Sequence, residues 1–300
     1  MHTFEIDESL VRSLLHDQHP DLAGLPLRQV AAGWDNRVWR LGDDLAVRLP
    51  RTTRAPALLR KEQRWLPVLA PRLPLPVPTP VRTGEPSDRF PRPWSIASWV
   101  PGEPADRTPI SRGDHAADTL AGFLGALHQE APAGAPVSTQ RGIPLQLLAE
   151  EFEPRIDELV PGSAAADVRT VWADAVAAPT WQGPSIWLHA DLHPANVVVS
   201  EGTLFGVIDF GDLCVGDPAT DLAAAWLLLP AGAASRFLDA YATVGVAVDP
   251  AMVRRARGWA VLRAVGLIAI GRAWDRGLPG GQPTWGAAGR AALDRALAFG

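Results

Sequence analysis

The sequence predicts an α+β protein in which a small β-rich front third precedes a larger, mostly helical remainder. Three observations carry that expectation. Short apolar runs separated by turn signals crowd residues 27–100. Helical apolar spacing dominates from residue 112 onward. The chain of 300 residues is 47% hydrophobic, enough for a substantial core and suited to one large domain or two lobes sharing an interface.

Each element follows in order. Residues 3–16 place Phe4, Ile6, Leu10, Val11, Leu14 and Leu15 at roughly helical spacing after an acidic start. Segments 27–31, 37–41 and 45–49 are strand candidates, with Gly33-Trp34-Asp35-Asn36 and Gly42-Asp43-Asp44 as the turns between them. Residues 57–70 read as a helix that Pro67 kinks or stops early, and the proline-rich run 71–80 predicts an extended connector. Residues 94–100 predict another strand, ended by Pro101-Gly102. That point divides an N-terminal lobe, 1–100, from a C-terminal lobe, 101–300. In the second part, 112–129, 145–160 and 164–177 are helical by pattern. Three short apolar runs then fill 186–210, and 219–229, 233–244, 250–275 and 286–298 return to helix.

Composition excludes several classes. A net charge of −5 gives no basic excess, so no nucleic-acid partner is expected, and it fits an ordinary soluble surface. The single cysteine, Cys214, excludes an intrachain disulfide and a cysteine-cluster metal site. The start MHTFEIDESL has no basic segment followed by an apolar one, so no signal peptide is expected. The apolar run 222–229 is too short to span a bilayer, and Arg263 interrupts the run 260–270. A cytoplasmic protein without a membrane partner is expected. Nothing in the sequence fixes its oligomeric state.

Chemistry gathers in Trp187-Leu188-His189-Ala190-Asp191-Leu192-His193-Pro194-Ala195-Asn196-Val197-Val198-Val199, then Gly206-Val207-Ile208-Asp209-Phe210-Gly211-Asp212, then Gly216-Asp217-Pro218-Ala219-Thr220-Asp221. Phosphoryl transfer to an alcohol needs a carboxylate to orient the hydroxyl and accept its proton, and hard oxygen ligands for a divalent metal. Asp191 can supply the first. Asn196, five residues on, offers an amide oxygen, and Asp209 ends an apolar strand beside a Phe-Gly turn. Taken singly these are weak signals, since two acids and an Asn also make an ordinary polar loop network. Their order, between strand-like runs, is much less expected by chance.

The spacing His-x-Asp-x-x-x-x-Asn followed by Asp-Phe-Gly matches the catalytic and metal-binding loops of protein kinases. No Ala-Pro-Glu follows, however, and the stretch from Asp209 to Asp217 is too short for an activation loop. The sequence resembles instead the aminoglycoside phosphotransferase-like family of small-molecule kinases, with Ala190 where that signature has Gly. The resemblance runs from the Gly33 turn to the 216–222 segment. It implies a two-lobed protein-kinase-like fold and transfer of the γ-phosphate of ATP or GTP, with Mg²⁺, to a small-molecule hydroxyl. By resemblance Asp191 is the base or hydroxyl-orienting group, and Asn196 and Asp209 hold the metal. His189 and Asp221 support the loop, and His193 supports it or lines the acceptor pocket. Asp217 reads as a structural turn residue.

The same resemblance locates the nucleotide end. The basic residue on the third strand, 45–49, is Arg48, where the protein-kinase pattern has Lys, and its expected partner is Glu62 on the following helix. Gly33 and Asn36 stand in the phosphate-covering turn, which is equally a plain β-turn. Ser98, Trp99 and Val100 form the hinge toward the base. For the acceptor, aminoglycosides and other antibiotics fit the family, and so do choline, homoserine or sugar-amines. The acidic run Glu150, Glu151, Glu153, Asp157 and Glu158 suits a cationic acceptor or a solvated helix face. Trp226, Trp259, Trp274 and Trp285 suit a pocket wall or core. A catalytically silent, nucleotide-binding relative is the alternative class, with Arg48 the feature that favours it.

Overall fold

Five strands pair antiparallel in the front part of a computed structural model of the chain, which describes residues 5–30 and 33–299. They are β1 (Leu27–Gln29), β2 (Asn36–Leu41), β3 (Leu45–Pro50), β4 (Pro80–Gly84) and β5 (Trp94–Ser98), in the order β1-β2-β3-β5-β4. Phe4 of the first predicted helix and Ala31 of the first predicted strand lie outside the described residues. β4 begins where the sequence predicts only a connector. Pro80 opens an edge strand, where its missing N–H costs little.

The sheet is closed on one face by α1 (Glu8–Gln18), which starts because the Asp7 carboxylate accepts from Leu10 N–H at 2.8 Å. Val11, Leu14 and Leu15 of α1 pack on Trp39, Leu41, Val47, Leu49 and Trp94. Strand alternation sends Arg48 to the opposite face from Val47 and Leu49, toward α2 (Ala55–Leu69). α2 runs through Pro67 rather than stopping there. The proline falls in the last turn, where it forgoes one bond, to Gln63 O, and only two residues of helix follow it.

The chain forms two compact units. The first contains the residues through Pro71, Pro76–Pro101 and Val207–Gly211; the second contains Arg72–Leu75, Gly102–Gly206 and Asp212–Gly300. Val207 N–H donates to Pro76 O at 3.1 Å, which ties the Asp209 segment into the first unit.

In the second unit, α3 (Gly113–Leu127), α4 (Ala149–Leu159) and α5 (Ala164–Ala177) lie between the first of the small strands and the rest. The strands β6 (Glu103–Pro104), β8 (Val197–Ser200) and β9 (Thr203–Val207) form one sheet, and β7 (Ile186–Leu188) pairs with β10 (Cys214–Gly216). Where one helix is predicted over 219–229, two single turns occur, α6 (Ala219–Leu222) and α7 (Ala224–Leu227). Ala223 between them has ψ −24°, and its carbonyl is shared between Trp226 N–H and Leu227 N–H, an i to i+3 bond beside the i to i+4 one, each at 3.1 Å. α8 (Ala233–Val244) packs on α3, and the 26-residue α9 (Pro250–Asp275) packs on α5, α6 and α10 (Trp285–Ala298). Trp226 and Trp259 are core, whereas Trp274 is 53% exposed. The acidic side chains of α4 are exposed, and its Phe152, Ile156 and Leu159 are buried. Among the described residues no helix is long and apolar enough to cross a membrane.

Candidate active site

The loop between β7 and β8 is held from below by one carboxylate. Asp221, 1% exposed at the start of the α6 turn, accepts from His189 N–H and Ala190 N–H, each at 2.7 Å. Two backbone donors on the two carboxylate oxygens fix both peptide planes, and they hold Ala190 at φ 67°. A left-handed alanine costs roughly 1–2 kcal/mol, so the loop is bent against local preference to aim the next residue. Asp221 is itself met by His128 Nε2 at 3.2 Å, whose Nδ1 lies 2.7 Å from the Tyr241 hydroxyl. Burial first, then Asp221 and Asp217, push the Tyr241 phenol above its ordinary value, so it stays protonated.

The residue so aimed is Asp191, whose side chain is 17% exposed. Asn196 Nδ2 donates to Asp191 O at 3.0 Å and to Asp191 Oδ2 at 3.1 Å. The amide nitrogen is thereby committed to Asp191, and the amide oxygen is the end left for another partner. His189 is fully buried, and its Nδ1 accepts from Asp191 N–H at 3.2 Å, a loop support out of reach of any substrate. His193 is 2% exposed. Its Nδ1 accepts from Ala195 N–H, its Nε2 lies 3.6 Å from Asp191 Oδ2, and its ring meets Trp285 edge-on at 4.6 Å. Asp217 is structural. It caps Ala219 N–H and takes a two-pronged pair from buried Arg255, at 2.7 and 3.2 Å.

Two further residues meet Asp191 that the sequence reading did not single out. Arg263, from the middle of α9, donates through Nη2 to Asp191 Oδ1. Arg141 Nη2 lies 3.7 Å from the same oxygen and 4.0 Å from Asp212 Oδ2. The signal was present for Arg263, because a charge inside an apolar helical run requires a partner. Arg141 sits in a loop without periodicity and gave none. That loop is docked closely. Gly142 O accepts from Asp217 N–H at 3.0 Å, and a Cβ at Gly216 would lie 2.2 Å from that oxygen, so only glycine fits at 216.

In the first unit the predicted partners Arg48 and Glu62 form a buried two-pronged pair. Arg48 Nη2 donates to Glu62 Oε1 at 3.2 Å, and Nη1 donates to Oε2. Burial works against the guanidinium charge, but Glu62, then Asp209 and Asp35, outweigh it and raise Arg48 above its ordinary value. The first unit therefore contains a permanent cation with Asp209 in its field. Asp209 stands at φ 62°, and a Cβ at Gly211 would lie 3.2 Å from Asp209 Oδ1 and 3.4 Å from Leu58 Cβ. Glycine there leaves the carboxylate its room. The Gly33 turn is pinned through Asp35, which accepts from Thr52 Oγ1 at 2.6 Å and from Arg54 at 2.7 and 3.1 Å. Asn36, 8% exposed, has an Oδ1 without a hydrogen-bond partner among the described residues. In the hinge, Ser98 N–H and Trp99 N–H already donate to Thr79 O and Asp44 O, and among the described residues no backbone acceptor meets Val100 N–H.

An antiparallel sheet with a paired arginine, joined in one chain to a helical unit that displays a strained Asp loop, defines a kinase-like phosphotransferase architecture. The chain belongs to the phosphotransferase enzyme family, whose model matches residues 26–263. It is similar to an aminoglycoside 3′-phosphotransferase of Escherichia coli, at 29% identity over 143 residues, which is 44% of this chain and 51% of that protein. A Salmonella typhimurium protein of the same name matches equally. The chain thus spans about half the length of the curated relatives it matches. Among solved structures, the GDP complex of aminoglycoside 2′-phosphotransferase-IIIa aligns over 98% of this chain and 99% of its own, with TM-score 0.74 and 22% identity. A macrolide 2′-phosphotransferase from Brachybacterium faecium aligns over 97% and 98%, with TM-score 0.65 and 25% identity.

Proposed function

We propose that this phosphotransferase moves the γ-phosphoryl group of ATP or GTP to a hydroxyl of a small molecule, with Asp191 as proton acceptor. The observation that carries the reading is the Asp191–Asn196 bracket, in which one loop holds a carboxylate and an amide whose nitrogen is committed to it. In the reaction the acceptor oxygen forms a bond to phosphorus, the bond from phosphorus to the β–γ bridging oxygen breaks, and the hydroxyl proton passes to Asp191. The nucleoside diphosphate leaves. Arg48, fixed by Glu62, meets the phosphates, and backbone and side-chain groups of Gly33 and Asn36 cover them. Of the hinge residues Ser98, Trp99 and Val100, the Val100 N–H is the donor left to meet a base.

Asn196 and Asp209 fit Mg²⁺, because an amide oxygen and a carboxylate are hard ligands. Among the described residues no three His, Cys, Asp or Glu side chains cluster as a metal site. When bound, the metal neutralises charge on the phosphates. The nucleotide-bound relatives support a nucleotide donor: GDP accompanies kanamycin in one neighbour and ATP accompanies streptomycin in another. Aminoglycosides and macrolides enter on that likeness as acceptors to try first.

The test is phosphorus NMR of the purified protein with ATP or GTP, with Mg²⁺ or with chelator, against aminoglycosides, macrolides and amino-alcohols. A phosphorylated acceptor formed only with Mg²⁺ is expected. Nucleotide binding with no phosphorylated product would instead describe a silent binding protein.

A further inference from the structure

The surroundings of Asp191 bear on the acceptor itself. Its Oδ1 receives Arg263 and faces Arg141 at 3.7 Å, while Oδ2 receives Asn196 and faces His193. Arg263, Arg141, Asp191 and Asp212 are each 17–19% exposed, so the group is neither sealed in the core nor free in solvent. Both guanidiniums are anchored. Arg263 stands on the packed α9, and the Arg141 loop is tied to β10 and Asp217 through Gly142. Arg141 N–H also donates to Ser138 Oγ at 3.1 Å.

An acceptor hydroxyl has to reach an Asp191 oxygen. A neutral hydroxyl can donate to the ionised carboxylate, but to reach Oδ1 it must displace Arg263, a fully charged donor, and it offers that guanidinium no anion in exchange. An acceptor carrying several ammonium groups places like charge beside two guanidiniums, which disfavours it. An acceptor with its own anionic group changes the exchange. Its carboxylate or phosphate takes the guanidinium forks, for which both groups have matching geometry. Asp191 Oδ1 is then released to receive the hydroxyl.

We propose that Arg141 and Arg263 form an anion clamp beside Asp191, and that the acceptor is a hydroxylated molecule bearing a carboxylate or phosphate group near the reacting hydroxyl. The half-buried Trp285 ring meets His193, whose Nε2 lies 3.6 Å from Asp191 Oδ2. The proposal rests on the reading of Asp191 as the acceptor-side carboxylate. It runs against the polyammonium acceptors of the aminoglycoside relatives. The acidic side chains of α4 do not restore that case, being exposed on the helix face away from its buried residues.

The experiment uses the full chain and matched hexose acceptors: glucuronate, glucose 6-phosphate, glucose and glucosamine. Phosphoryl transfer is followed with Mg²⁺ and ATP or GTP, and binding is followed by thermal shift without nucleotide. Glucuronate or glucose 6-phosphate should exceed glucose and glucosamine in kcat/KM by at least about tenfold. Which of the two leads identifies the anion. Arg263→Gln and Arg141→Gln should collapse that ratio through KM, and Arg263→Lys should retain part of it. Equal or better use of glucosamine, or a ratio unchanged in both Gln variants, overturns the clamp and leaves the phosphotransferase reading standing. Stabilisation by the anionic sugars that Arg263→Gln abolishes, without transfer to any acceptor, supports the clamp and contradicts that reading. Neither stabilisation nor transfer overturns both.

Discussion

Two arginine–carboxylate pairs stand in the two units of this protein, and they differ in burial. Arg48–Glu62 is closed, with side chains 11% and 1% exposed and both terminal guanidinium nitrogens engaged. Arg263–Asp191 is half open, at 18% and 17%, and its carboxylate is shared among an arginine, an amide and a histidine. A closed pair cannot exchange partners without leaving a charge buried, so it serves as a fixed cation. A half-open pair can trade its carboxylate for a ligand at small cost. On the proposed reading the first would meet the phosphates of the nucleotide, and the second would open to an acceptor that must be admitted and released.

The largest expected effect lies with the residue in the field of the closed pair. Asp209→Ala should abolish Mg²⁺-dependent turnover while the fold persists, checked by initial rates across a Mg²⁺ series beside a melting curve. Unchanged kinetics would put the metal on other ligands. Asp191→Asn should lower kcat by about 10²–10⁴ with little loss of nucleotide affinity. Nucleotide binding that falls while kcat survives would move Asp191 to the phosphate side and dissolve the distinction between the pairs.

Glu62→Ala addresses the closed pair itself. It leaves the Arg48 guanidinium buried without its main carboxylate, and about 3–5 kcal/mol of stability should be lost in denaturant unfolding. A loss below about 1 kcal/mol would show a solvated pair of the ordinary surface kind. The smallest effect is expected at Ala190. Glycine removes the left-handed penalty of roughly 1–2 kcal/mol but gives back about 0.4–1 kcal/mol of unfolded-chain entropy, so Ala190→Gly should be neutral to mildly stabilising. A destabilised variant would mean that Asp221 does not impose the angle.

The two pairs were also unequally legible in the sequence. Arg48 and Glu62 were placed by the resemblance to the kinase pattern, on a strand and a helix that local signals mark; alternation alone left the Arg48 face open to solvent or cleft. Helices 164–177, 233–244 and 250–275 were likewise readable to the residue, with Asp249 capping the last at Met252 N–H. The break at Ala223 was not, since no Gly or Pro marks it and only its backbone geometry divides the run. β4 hid behind a proline tract. At the candidate site the Asp191–Asn196 spacing was visible. The exchange of the family's Gly for Ala190 looked like one small residue for another; at φ 67° it is a change in backbone freedom. Arg263 read only as an interruption of an apolar stretch, because its partner is 72 residues away. Arg141 depends on a loop path that no local pattern encodes.

Nucleotide affinity in Arg48 and Arg263 variants tests the central distinction most directly. Calorimetric titration of ATP and GTP, with Mg²⁺, would be run on wild type, Arg48→Lys, Arg48→Ala and Arg263→Gln. Arg48→Lys should weaken binding because an ammonium cannot reproduce the two-pronged fork, Arg48→Ala should weaken it further, and Arg263→Gln should bind nucleotide as wild type does. Wild-type affinity in Arg48→Ala, or a loss in Arg263→Gln as large as that in Arg48→Ala, would contradict the assignment of one pair to the nucleotide and the other to the acceptor.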